Sequence, residues 1–182
     1  MKYVLIAAAV LAVLVGIVYV IGLILPQNHT AVVSAKFDRP ADMVWAAVID
    51  IGAWHNWNKS LQRIEHLGDT NGHATWRLTD SGMSMTYEIV EATPPAGGAA
   101  GRMVTRILPG LAFGGTWTYE VAPAPGGAGT VVTITEAGEI YNPFFRFMAR
   151  FFFGYTGTAA AWLRAFGGQW GAGVAPEVKR AM

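Results

Sequence analysis

Val4–Leu25 is an unbroken apolar run, VLIAAAVLAVLVGIVYVIGLIL, without a charged residue. As a helix it would span roughly 33 Å, enough for a hydrocarbon core of about 30 Å. The pattern predicts one transmembrane helix, with residues 1–27 forming an anchor. A cleaved signal peptide is the competing reading, but its apolar region is usually about 7–15 residues long and ends at a small-x-small site. This run is longer and closes on Leu23-Ile24-Leu25-Pro26-Gln27. Lys2 favours a cytoplasmic N-terminus, with the remainder extracytoplasmic. The glycosylation sequon Asn28-His29-Thr30 lies almost on the membrane surface and reads as accidental.

Beyond the run the periodicity changes. Ala31–Phe37 alternates as a strand. Asp38-Arg39-Pro40-Ala41-Asp42 starts a helix, and Met43, Val44, Ala47, Val48 and Ile51 recur at helical spacing. Gly52–Ser60 breaks it with a short helix or turn. Period two then governs Arg63–Leu67, Ala74–Thr79, Ser84–Glu91, Arg102–Leu108, Gly115–Val121 and Val131–Glu136, separated by Gly-, Pro- and Asn-rich turns. Such short links imply antiparallel hairpins. A long last helix is predicted from Asn142-Pro143 to Gly167-Gly168. Phe144, Met148, Phe152, Tyr155, Ala159, Trp162 and Phe166 form its apolar stripe, with Arg146, Arg150 and Arg164 opposite. The order predicts an α+β domain over residues 28–175, an antiparallel sheet folded around one amphipathic helix, with 176–182 as a tail.

Composition sharpens this division. The chain is 53% hydrophobic and 14% charged, which excludes a disordered polyelectrolyte. Twenty of the 22 residues in the apolar run are hydrophobic, and without it the share is that of an ordinary globular domain. Lys+Arg 13 against Asp+Glu 12 leaves no basic surplus of the kind nucleic-acid binding requires. The absence of cysteine excludes disulfides, thiolate metal sites and Cys nucleophiles.

Phe37–Pro40, Val44-Trp45 and Trp54-x-x-Trp57-Asn58, then Gly114-Gly115-Thr116-Trp117-Thr118-Tyr119, Thr133-Ile134-Thr135-Glu136 and Asn142-Pro143-Phe144, occur in an order that resembles the START/Bet v 1-like (SRPBCC) superfamily. The likeness is to its polyketide cyclase/dehydrase-like branch and covers roughly Thr30–Gly173. It implies a helix-grip fold, a curved antiparallel sheet of about seven strands holding the C-terminal helix around an apolar cavity. Members bind lipids, polyketides, sterols and other hydrophobic molecules, and a minority are enzymes. The anchor departs from the common soluble members.

Strand alternation puts Met83, Met85, Tyr87 and Ile89 on one face, with Trp117 and Tyr119, Ile134 and Glu136, Trp76, and Met103 and Thr105 on the matching faces. Such aromatic and Met positions fit a pliable apolar pocket or a solid core equally well. The resemblance favours the pocket, which Met148, Phe152 and Tyr155 would complete from the helix. Glu136 is the one candidate acid or base, if it faces inward unpaired. Its competing fates are an ion pair with Arg102 or Arg106, or a bulge turning it to water. Asp50, His55 and Ser60 lie close in sequence, but five-residue steps through a broken helix do not make a triad. His66 and His73 bracket a turn with Glu65 near, short of a metal site's ligand count, so neither metal nor cofactor is expected. Arg146, Arg150 and Arg164, flanked by Phe153, form either a solvated face or one that meets anionic lipid.

These readings converge on a membrane-tethered domain that holds a hydrophobic small molecule or lipid. Two alternatives stand beside it. One is a cyclase or dehydratase using Glu136, Tyr87 or Tyr119, and the other an envelope-associated structural protein with a solid interior.

Overall fold

The computed structural model describes residues 1–181. Helix α1 (Lys2–Ile24) is the apolar run, 23 residues and about 35 Å long. It is long and apolar enough to cross a membrane. Strand β1 (Asn28–Phe37) follows after a three-residue link, then α2 (Ala41–Ile49), a 3-10 turn over Ile51–Ala53 and the single-turn α3 (Trp54–Trp57). Asp50 starts that 3-10 turn by accepting a hydrogen bond from the Ala53 amide. Six hairpin-linked strands come next: β2 (Leu61–Thr70), β3 (His73–Asp80), β4 (Met83–Thr93), β5 (Gly101–Ile107), β6 (Phe113–Pro123) and β7 (Thr130–Ile140). They coincide with the six predicted strands, most of them longer at both ends.

All pairings are antiparallel, and the order across the sheet is β2-β3-β4-β5-β6-β7-β1. An eighth strand, β8 (Glu177–Ala181), pairs with β1 at the edge. It lies in the segment expected to be a tail. All five of its residues are exposed, so it buries no face and has no apolar period; it joins the sheet through backbone pairing with β1.

The predicted single C-terminal helix is two. Asn142 caps α4 (Pro143–Met148) through its side chain, as expected, and a π turn over Ala149–Phe153 continues it. Gly154 then adopts φ +70°, and α5 (Gly157–Gly168) starts afresh. Glycines at 154 and 157 weaken the helix where the chain must turn. The break splits the expected stripe. Ala159, Trp162 and Phe166 of α5 are buried, whereas Phe144 and Phe152 are exposed.

Only α5 is gripped by the sheet. Its buried face packs on Val33, Ala35 and Phe37 of β1, Val121 of β6, and Val132 and Ile134 of β7, with α2 and α3 closing the side. Phe166, fully buried, lies at its centre, with ring centroids 4.7 Å from Trp162, 4.9 Å from Trp170, 5.2 Å from Trp57 and 5.4 Å from Phe37.

Candidate functional site

Above Phe166, towards the start of α5, packing gives way to a cavity of about 240 Å³. Its walls are Ile51, Trp54, Leu61, Leu78, Met85, Tyr87, Thr105, Trp117, Tyr119 and Trp162. Trp54, Tyr119 and Trp162 form a mutually packed aromatic floor, each pair 5.2–5.9 Å between centroids. The Trp54 indole N–H donates to the Val48 carbonyl at 3.2 Å, fixing that ring to α2. Polar groups gather at the rim: Ser60 Oγ lies 3.0 Å from Asn58 Oδ1 and 2.9 Å from Asp80 Oδ2, and Thr158 and Ala161 of α5 complete the opening.

The lining residues share one end of the sheet. Leu61 begins β2, Asp80 ends β3, and Met85 and Tyr87 lie near the start of β4. Tyr87 pairs with Ile107, Thr105 with Trp117, and Phe113 with Ile140, so these positions lie towards the end where β1 leaves α1.

Both tyrosines are held protonated. Burial pushes the Tyr119 hydroxyl well above its ordinary value, and the neighbouring Tyr87 and Glu136 add to the shift. Tyr87 moves the same way, through burial first and then the charges of Glu136 and Asp80. Its hydroxyl donates to Met85 Sδ at 3.2 Å. Neither group can act as a base near neutrality; each offers a neutral hydroxyl to a ligand.

Of the positions expected to line a pocket, Met85, Tyr87, Thr105, Trp117 and Tyr119 do. Met103 and Ile134 are fully buried in the solid core lower in the grip, and Trp76 is half-buried at its margin, its ring 4.6 Å from that of His66. Met83 is 47% exposed at the β3–β4 turn, and Phe152 is 68% exposed. Met148 sits half-buried on α4, on the far side of the break from the gripped helix. Tyr155 instead stacks on His29, with centroids 4.4 Å apart.

Glu136 faces inward, opposite Trp117 and Ala31. Neither expected arginine partners it: Arg102 pairs with Glu91, and Arg106 with Glu88 at 3.1 Å. Its partner is His29, whose Nε2 lies 3.2 Å from Oε1. Glycine at 138 makes room for that imidazole, because a Cβ there would overlap the ring. His29 Nδ1 is buried without a hydrogen-bond partner. The pair borders the cavity wall but does not line it. His29 is the second residue of β1, just after the anchor, where nothing in the sequence marks it as a partner for a residue 107 positions away.

Other weighed groups disperse. Asp50 caps the 3-10 turn, His55 lies 2.9 Å from the Gly52 carbonyl, and Ser60 is at the rim. His73 meets the Ile89 carbonyl. Among the described residues no three His, Asp or Glu side chains are placed to hold a metal. Arg164 lies on α5, separated by the break from Arg146 and Arg150, so the three arginines do not share one helix face.

A curved antiparallel sheet closed over one C-terminal helix, with an apolar cavity between them, defines a helix-grip domain of the START type. Residues 28–179 match the model of the family described as polyketide cyclase / dehydrase and lipid transport. The chain belongs to that family. No functionally curated protein matches it. Solved structures with the same fold include a START superfamily protein from Mycobacterium smegmatis, 19% identical, TM-score 0.57, covering 78% of this chain and 96% of that one. The ZhuI aromatase/cyclase from Streptomyces sp. R1128 is 13% identical, TM-score 0.54, covering 78% and 93%. A STAR-related lipid transfer protein from Xanthomonas axonopodis is 19% identical, TM-score 0.50, covering 76% and 84%.

Proposed function

We propose that the protein is a membrane-tethered START-like domain that binds one hydrophobic small molecule, or the apolar end of a lipid, between α5 and the sheet. The observation that carries this reading is the cavity itself, with mainly aromatic and aliphatic walls, a few hydroxyls from Tyr87, Thr105 and Tyr119, and Asn58, Ser60 and Asp80 at its rim. That distribution drives an apolar body inward and leaves a polar end near Asn58, Ser60 and Asp80. Its volume of about 240 Å³ falls just below the usual small-molecule range, roughly 300–1,000 Å³. The site therefore suits a single ring system or acyl segment rather than a whole two-chain lipid. Membership of a family that spans polyketide cyclases and lipid transport, and the likeness to a lipid transfer protein, support such a ligand. Helix α1 supplies the tether, with its N-terminus cytoplasmic and the domain extracytoplasmic.

The enzymatic reading gains less support. Its tyrosines are removed as bases and remain only as neutral hydroxyl donors, and Glu136 is engaged by His29 beside the cavity. Ala161→Trp places an indole in the opening from an exposed position on α5. Native mass spectrometry of the full-length chain, purified from membranes and released from detergent, should show wild type carrying one hydrophobic molecule. Occupancy should fall at least about tenfold in the variant, equivalent to ~1.4 kcal/mol or more. A ligand-free wild type would reject the reading.

A further inference from the structure

Helix α1 is solvent-exposed all round except on one narrow face. Val18, Ile21, Gly22 and Leu25, at i, i+3, i+4 and i+7, are covered. Residues 143–148 cover them: a Cβ on Gly22 would overlap the Pro143 carbonyl, so only glycine admits this approach. Val18 to Leu25 is about 10 Å of helix axis, the last third of a helix whose length matches a bilayer core. Whatever depth that third of α1 occupies, α4 occupies beside it.

The chain at that depth is strongly apolar. Phe144, Phe145, Phe151, Phe152 and Phe153 are 42–70% exposed, a density of bare aromatic rings that a water-facing surface rarely carries. No acidic residue occurs between positions 140 and 176. The two charged groups within 143–153 are arginines. Arg146 is turned back towards the domain by hydrogen bonds donated to Ile140 O at 2.7 Å, Tyr141 O at 3.0 Å and Gln27 Oε1 at 3.3 Å. Arg150 remains exposed.

We propose that residues 143–153 are a second membrane element, lying in the plane of the bilayer at the C-terminal end of α1. The phenylalanines enter the acyl boundary, while Arg150 meets lipid phosphates. This rests on the reading of α1 as a retained membrane span. It has a consequence for the cavity. Thr158 and Ala161 of the rim follow within eight residues of Phe153, and the lining strand positions share the end of the sheet nearest α1. The two elements together hold the opening against the lipid surface, so that a hydrophobic ligand passes between bilayer and cavity without crossing open water.

The chain contains no cysteine, which permits single nitroxide labels at chosen sites. Full-length Phe152→Cys, Leu14→Cys and Asp69→Cys, each spin-labelled, are reconstituted into vesicles of phosphatidylcholine and phosphatidylglycerol. Collision with oxygen, which concentrates in lipid, is compared with collision with a water-soluble nickel chelate. The label at 152 should favour oxygen as the label at 14 does, and the label at 69 should favour the chelate. Phe145→Cys repeats the reading at a second exposed position. Oxygen preference at 14 with chelate access at both 145 and 152 overturns the proposal and leaves the anchor standing. Chelate access at 14 as well overturns both. A label at 152 shielded from both reagents places a protein partner or second copy on the segment, and also overturns the proposal.

Discussion

Phe166→Ala is expected to cost about 3–5 kcal/mol, the usual loss for a buried phenylalanine whose site cannot collapse. For a domain of this size that lowers Tm by roughly 6–20 °C. The magnitude follows from position. Phe166 is fully buried where four aromatic rings of β1, α3, α5 and the chain after α5 converge. Phe152→Ala is the matched control: the same atoms are removed from a ring that is 68% exposed and outside the grip. Its effect should stay within about 0.5 kcal/mol. Thermal unfolding followed by near-ultraviolet circular dichroism reads both. Equal losses would mean that one continuous helix is gripped, contrary to the break at Gly154.

Alkaline unfolding should be the second large effect. An unfolded tyrosine loses its proton near pH 10, whereas burial keeps Tyr119 protonated well above that. Above pH 10 the folded state therefore holds a proton that the unfolded state gives up, and stability falls as pH rises. Below pH 10 the contribution is intact. Tyr119 alone removes about 1.4 kcal/mol per pH unit in that window. Tyr87, raised in the same direction but half-buried at the cavity wall, adds less, so the joint slope lies between about 1.4 and 2.7 kcal/mol per unit. Denaturant titrations from pH 8 to 12 should show the slope reduced in Tyr119→Phe and reduced further in the Tyr87→Phe/Tyr119→Phe pair. An unchanged slope would mean that both hydroxyls reach water.

Much of the fold could be read from alternation, because six strands each bury one face and betray it every second residue. β8 has no buried face and leaves no such trace. The C-terminal stripe misled for a different reason. A helical wheel assumes one axis, and the turn at Gly154 resets the phase, sending Phe144 and Phe152 outward while Trp162 and Phe166 go in. The site was legible to the same degree. Alternation identifies the face of a strand but not the height along the gripped helix. Thr105 and Trp117 reach the cavity, whereas Met103 and Ile134, on the same faces, lie where the core is solid. Trp54, Leu78 and Trp162 line the cavity because α3, β3 and α5 converge there, a tertiary fact. Glu136 is identifiable as an inward carboxylate, but its partner His29 lies on the neighbouring strand β1, 107 residues earlier in the chain, and no local pattern joins them.

Everything functional here depends on a hydrophobic molecule occupying the space between α5 and the sheet. The most direct measurement is photo-crosslinking of the full chain in lipid nanodiscs with a diazirine-bearing acyl probe, the adducts being located by peptide sequencing. Adducts are expected on Trp117, Tyr119 and Trp162 and should be lost in Ala161→Trp. Adducts confined to α1 and residues 143–153, with none on the cavity walls, would contradict it.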